Sequence, residues 1–241
     1  MKKVAVMISW WLDSYIMYYY AKKNWFQPVP IRVNLWQPYR EKELEAIKNF
    51  EFYDEIIQVN FADYTKKMVG DIIPWRNLLL WVIWANYADE VWIGALYGER
   101  TGKNMDKSYQ FFEEASKVLT YNFQMLREYT FIKTPFFHLT KANLVKRALE
   151  NWLTKEQLFK TSTCYDEKKH NCWKCPTCFK RYVAMKLNGI DEEFESNPLE
   201  SDYAKKMKQE TINKDPHLAP ERREEYMKIF NITEKEDENI S

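Results

Sequence analysis

A strand pattern that runs directly into a helix, repeated along most of the chain, constrains this sequence more than any other feature. The first instance is "KVAVMI" (3–8), followed by Ser9-Trp10-Trp11-Leu12-Asp13-Ser14 and a helical stretch over 13–23. "PVPIRVNL" (28–35) reads as a second strand, about 39–49 as a helix and "EIIQVN" (55–60) as a third strand. A loop around Pro74 leads into an apolar helix from Asn77. "EVWIGAL" (90–96) is a fourth strand, 97–108 a polar loop and about 109–126 an amphipathic helix. "FIKTPFF" (131–137) supplies a fifth strand, and "TKANLVKRALEN" (140–151) a helix with Thr140 as its N-cap. This alternation predicts an α/β fold, a doubly wound parallel sheet with helices on both faces. A chain of 241 residues with 46% hydrophobic content can bury the core such a fold needs. A further helix is expected from about Phe179 to Leu187. Residues 195–241 turn lysine- and glutamate-rich, and read as helical decoration whose last ten residues are disordered.

The first strand-to-helix turn is the natural place for a phosphate group, because unpaired N–H groups and the positive end of the helix dipole point at it. Such turns favour glycine, whose missing side chain lets backbone approach the anion. Here two tryptophans stand instead. The whole composition shares this oddity: 5 Gly against 10 Trp, where average usage would give roughly 17 glycines. An aromatic core explains Trp81 and Trp92, which lie inside apolar runs. It does not explain Trp25 and Trp152, each directly after a helical run, where a left-handed Gly or Asn is expected.

All four cysteines fall within "CYDEKKHNCWKCPTC": Cys164, Cys172, Cys175 and Cys178. Two overlapping C-x2-C steps plus a fourth thiolate form the pattern of a structural zinc site with no open coordination position. Disulfides and an iron–sulfur cluster are the rival readings, and His170 could replace one thiolate. Lysine plus arginine (36) nearly balance aspartate plus glutamate (35), which gives no case for bulk binding to nucleic acid or a membrane. The chain opens on a strand pattern without a signal peptide, and no apolar run is long enough to span a bilayer. A cytoplasmic protein is therefore expected.

Read together, these segments resemble one family. "SWWLDS" resembles the S-G-G-x-D-S pyrophosphate loop of the PP-loop ATP pyrophosphatases, whose fold is adenine nucleotide α-hydrolase-like. "IPWRNLLL" resembles the V-P-G-R-N segment of the 7-cyano-7-deazaguanine synthases within that superfamily. "LWQPYREKEL" is similar to their Y-G-Q-R-H-x-x-E-L, with Gln37, Glu43 and Leu44 retained. "TSTCY" with "NCWKCPTC" resembles their zinc segment, and "IKTPFFHLTKA" their T-P-x-L-T-K-A stretch. The likeness runs from residue 3 to about 190. It implies a PP-loop domain over 1–192, including the zinc knuckle 164–178, and a helical, partly disordered extension over 193–241. Trp10, Trp11, Trp36, Trp75 and Trp173 each fall where the pattern has glycine, and Trp25 and Trp152 fall where a helix C-cap would want it. One reading is a lineage that decodes UGA as glycine, with these codons rendered as tryptophan. The other is a degenerate, inactive paralogue with a binding role. As written, indoles at 10 and 11 would occupy the anion's space.

The resemblance implies ATP-dependent conversion of 7-carboxy-7-deazaguanine and ammonia to 7-cyano-7-deazaguanine, toward queuosine or related deazapurines, through an acyl-adenylate. Small molecules are the implied partners, with no direct nucleic acid contact, and homodimers are common in the family. Residues Ile8 to Ser14 (Ile8, Ser9, Trp10, Trp11, Leu12, Asp13, Ser14) would hold ATP, with Gln37, Arg76 and Asn77 nearby. Asp13, Arg76 and Asp106 would be the catalytic set, Asp13 orienting the loop or meeting Mg2+. Plain alternatives are a helix N-cap for Asp13, a surface ion pair for Arg76 and the solvated face of a helix for Lys141. "KNMDKSYQFF" departs from the family's substrate loop, with Lys107-Ser108 in place of Cys-Arg. Another PP-loop ligase or amidotransferase remains an alternative. Sulfur transfer is disfavoured, because the metal would take every cysteine.

Overall fold

The computed structural model describes residues 1–61, 63, 75–97, 105–123, 129–166 and 171–232. Five strands, β1 (Lys3–Met7), β2 (Gln27–Asn34), β3 (Ile57–Asn60), β4 (Glu90–Trp92) and β5 (Phe131–Lys133), form one sheet in the order β3-β2-β1-β4-β5. Every pairing is parallel; Val6 of β1, for example, lies opposite Pro30 of β2 and Trp92 of β4. The helices between them are α1 (Leu12–Lys23), α2 (Arg40–Ile47), α3 (Arg76–Ala85) and α4 (Tyr109–Phe123), and α5 (Lys141–Asn151) follows β5. After the sheet come α6 (Lys155–Phe159), α7 (Pro176–Lys186), α8 (Asp202–Ile212) and α9 (Pro220–Phe230).

The two-residue period of β1 divides the core. Val4 and Val6 pack on one face with Ile16, Met17, Leu144 and Val145 of α1 and α5. Ala5, on the other face, joins Leu80, Trp81 and Trp84 of α3 and Phe112 of α4. Each fully buried Val, Leu or Phe contributes about 2 kcal/mol, and this two-sided burial is what makes β1 central. Helices therefore cover both faces, as the alternation predicted.

Two strands end sooner than their apolar runs. β5 stops at Lys133 because Pro135 lacks the N–H that a continuing ladder needs, and Thr134 to Phe137 turn instead. β4 stops at Trp92. Ile93 still donates to Lys133 O at 3.0 Å, but Gly94 then passes so close to α1 that a Cβ there would meet Asp13 Cβ at 3.0 Å. α7 begins earlier than expected, at Pro176, because the Cys175 sulfur caps it by accepting from Cys178 N at 3.4 Å, and proline suits the first helical position. Thr140 caps α5 as read from the sequence, accepting from Asn143 N at 3.2 Å.

The 193–241 region is more than decoration. Tyr203, Ala204 and Met207 of α8 and Tyr226 of α9 close over Phe179 and Val183 of α7 in a separate small core, and Thr140 donates to Glu225. The readings made at Pro74, at His170 and for most of the last ten residues lie outside the described residues. No described helix is long and apolar enough to cross a membrane.

Candidate active site and metal centre

In a 3-2-1-4-5 parallel sheet, the connections depart in opposite directions from β1 and β4, leaving a crevice beyond their C-terminal ends. A cavity of about 330 Å³ lies there, within the size range of small-ligand sites. The turn after β1 forms its floor. Ser9 N donates to Ser14 Oγ at 3.2 Å, and Ser14 Oγ lies 2.9 Å from both Ser9 O and Trp11 O, so the turn is stitched to the first turn of α1. Of the residues expected to hold ATP, Ile8, Ser9, Trp11, Asp13, Ser14, Gln37, Arg76 and Asn77 all line the cavity. Trp10 and Leu12 do not. Both are fully buried, Trp10 stacking on Tyr39 at 5.5 Å with its indole Nε1 lacking a hydrogen-bond partner. Of the two adjacent tryptophans, Trp11 lies along the cavity, its ring against Tyr165.

Lys141 is the residue sequence reasoning missed. Far from lying on a solvated face, it is 9% exposed, and its Nζ sits 3.0 Å from Asp13 Oδ2 and over the Trp11 ring. A pairing across 128 positions has no local signature. Asp13 is thus an ion-pair partner inside the site rather than a simple helix cap.

Gln37 and Glu43 are held by a buried network. Glu43 Oε2 accepts from Arg32 Nε at 3.2 Å and Gln37 Nε2 at 3.0 Å, while Gln37 Oε1 accepts from Leu35 N at 3.0 Å. Burial pushes the Glu43 carboxyl up to about 7, against the opposing pull of Arg32 and Gln37. Asp106 is not among the residues that line the cavity; it is joined to one that does, Asn77, whose Nδ2 donates to its Oδ2 at 2.6 Å, and Arg76 Nε reaches Asn77 Oδ1 at 3.4 Å. Lys107 lines the cavity. Ser108 has a structural use, its hydroxyl accepting from Phe111 N at 3.2 Å at the start of α4.

The four cysteine sulfurs lie within 4.8 Å of one another, none in a disulfide. Cys172 and Cys178 are 3.9 Å apart, close to the edge of a tetrahedron with metal–sulfur bonds of about 2.3 Å. Backbone N–H groups of Cys172 and Cys178 donate to Cys164 and Cys175 sulfurs at 3.3 and 3.4 Å, which favours thiolates. The donor set fits zinc and is complete without water. This centre borders the cavity: Thr177 and Lys180 line it, Lys42 donates to Cys164 O at 2.9 Å, and Ser162 N donates to Trp10 O at 2.8 Å.

A five-stranded parallel sheet, an anion-type turn at its switch point and a four-cysteine centre beyond it define an α/β protein of the PP-loop type. The sequence model of the family described as "Queuosine biosynthesis protein QueC" matches residues 42–189, and the chain belongs to that family. Among its relatives, a protein of Aliarcobacter butzleri is 24% identical over 82% of this chain and 95% of its own length. One of Nitratiruptor is 25% identical over 79% and 97%, and one of Methanococcus aeolicus 28% identical over 65% and 67%. All three are named 7-cyano-7-deazaguanine synthase.

Proposed function

We propose that this chain is an ATP-dependent ligase that converts 7-carboxy-7-deazaguanine and ammonia to 7-cyano-7-deazaguanine. The observation that carries the reading is the convergence of the Ser9–Ser14 turn, the Asp13–Lys141 pair and Arg76 on one cavity at the switch point. A carboxylate is a poor electrophile. Attack of its oxygen on the α-phosphorus of ATP forms an acyl-adenylate and releases pyrophosphate; ammonia then expels AMP to leave an amide. A second adenylation on the amide oxygen lets that oxygen depart with AMP, leaving the nitrile.

The residues present suit positioning and charge stabilisation rather than covalent catalysis. In this reading the Ser9 hydroxyl and the N–H groups opening α1 would meet the departing pyrophosphate, while Ser14, whose hydroxyl lies 2.9 Å from Ser9 O and Trp11 O, would hold the turn in shape. Lys141 and Arg76 add positive charge, and Arg76 offers a planar fork for phosphate or carboxylate. Asp13 would be the carboxylate to hold Mg2+, which would neutralise phosphate charge. Asp106, joined to Asn77, would serve as an acceptor for a guanine-like edge, and Lys107 as the cation for the substrate carboxylate. All four cysteines belong to the metal centre, which speaks against sulfur transfer. The near-neutral charge gives no case for bulk binding to nucleic acid, in keeping with small-molecule substrates.

Protein isolated from its own source and given Mg-ATP, ammonium and 7-carboxy-7-deazaguanine should yield AMP, pyrophosphate and the nitrile, identified by mass. Release of neither nitrile nor pyrophosphate would refute the proposal.

A further inference from the structure

Among the described residues, six that are not glycine adopt positive φ, and four of the six are tryptophan: Trp25 (63°), Trp36 (63°), Trp75 (61°) and Trp173 (59°). Outside glycine, this left-handed region is populated mainly by Asn, Asp and His, whose short side chains tolerate it. Tryptophan has no such excuse.

The helix ends provide an internal control. At the C-terminus of α7, Ile190 N reaches back to Met185 O at 3.0 Å across Gly189, whose φ is 66°. At the end of α9 the same closure, Ile232 N to Met227 O at 2.9 Å, spans Asn231. The end of α1 is built identically, with Phe26 N on Ala21 O at 3.1 Å, yet the left-handed position is Trp25. At Trp25 and Trp75 packing does not offset the strain, since they are 82% and 81% exposed; Trp36 is anchored only at its edge, its Nε1 donating to Phe61 O at 2.9 Å with Arg40 over its ring. Trp81 and Trp84 in α3 and Trp92 in β4 are buried in regular structure. Trp152 has φ −136°, open to any residue, and packs on Tyr20. Tryptophan is therefore of two kinds here, one packed in regular structure and one in the left-handed region, which Asn231 and Lys214 also enter but which glycine enters without strain.

We infer that the polypeptide made in its own cell carries glycine at positions 25, 36, 75 and 173; the extension to 10 and 11, where the backbone is not left-handed (Trp11 has φ −72°), rests instead on the likeness of "SWWLDS" to S-G-G-x-D-S. The codon UGA lies one base from both UGG (tryptophan) and GGA (glycine), so a single decoding rule covers all six, while true UGG codons supply Trp81, Trp84, Trp92 and Trp152. The consequence at the site rests on the proposed function. With glycine at 10 and 11, the turn between β1 and α1 loses the indole that lines the cavity at 11 and the unbonded indole N–H buried at 10. Its backbone N–H groups then become the cradle for a pyrophosphate.

Peptide mass spectrometry on the protein from its own source tests this without reference to activity. Peptides containing 10, 11, 25, 36, 75 and 173 should each be lighter by one indolylmethyl group per position, with 81, 84, 92 and 152 unchanged. Tryptophan at 25, 36, 75 or 173 would overturn the inference, and tryptophan at 10 or 11 would overturn its extension to the turn. A chain confirmed to carry glycine that still fails to turn over ATP would count against the proposed function and leave the glycine assignment standing.

Discussion

The Asp13–Lys141 pair can be tested as an energetic unit. At 3.0 Å, two unit charges in surroundings of effective dielectric near 20 attract by about 5 kcal/mol before desolvation is charged against them. Both side chains are only about a tenth exposed (10% and 12%), so desolvation cancels much of that gain, and the larger effect appears when one partner is left alone. Asp13→Asn and Lys141→Met should each destabilise the chain by about 3 kcal/mol. The double variant should lose about the same amount rather than twice it, giving a coupling of about 2–3 kcal/mol. Urea unfolding of the four proteins at pH 7, read by tryptophan fluorescence, measures the cycle. A coupling below about 0.5 kcal/mol would refute the reasoning, because the two groups would then behave as independent, hydrated charges. Lys141→Met should also slow ATP–pyrophosphate exchange.

Purified full-length chain should contain about one zinc; Cys178→Ala should abolish it and lower the melting temperature, whereas undiminished metal content would place the zinc elsewhere. Arg181 is fully buried, with its guanidinium on Glu192, Thr161 and Leu158 O. Glu192→Gln should therefore cost about 3 kcal/mol or more in chemical denaturation, by stranding a buried charge. For Glu51, desolvation opposes ionisation, but hydrogen bonds from Lys160, Tyr15 and Tyr19 prevail and hold its carboxyl down to about 2 from the usual 4.5. Its stabilisation is then present above pH 4.5 and lost as pH falls toward 2. Glu51→Gln should destabilise at pH 7, with the gap to the parent chain closing through that window in acid titrations of unfolding.

Local and periodic features were legible in the sequence. The two-residue period of Val4, Ala5 and Val6, the Thr140 cap and the cysteine spacing each act over a few residues, and each recurs in the structure. What escaped was set by distant partners. Lys141 reads as an ordinary exposed lysine in "LTKANL" until the sheet brings Asp13 beside it. The early start of α7 depends on a sulfur acting as a cap, an uncommon role for cysteine. The apolar run at 90–96 looks like seven residues of strand, but the approach of α1 at Gly94 ends it after three. The left-handed backbone at Trp36 and Trp173 has no signal in these residues themselves, since a tryptophan spells no such turn; only family likeness pointed to it.

The cavity wall draws on Met7 and Ser9 from one end of the chain and on Thr177 and Lys180 from far along it. During synthesis, the β1 turn emerges from the ribosome long before the residues that face it across the cavity. A nascent chain halted before the cysteine cluster has the floor of the site but neither Thr177 nor Lys180. Under the proposed function, a complete nucleotide site would therefore form late in synthesis, only after the segment that carries Thr177 and Lys180 has emerged.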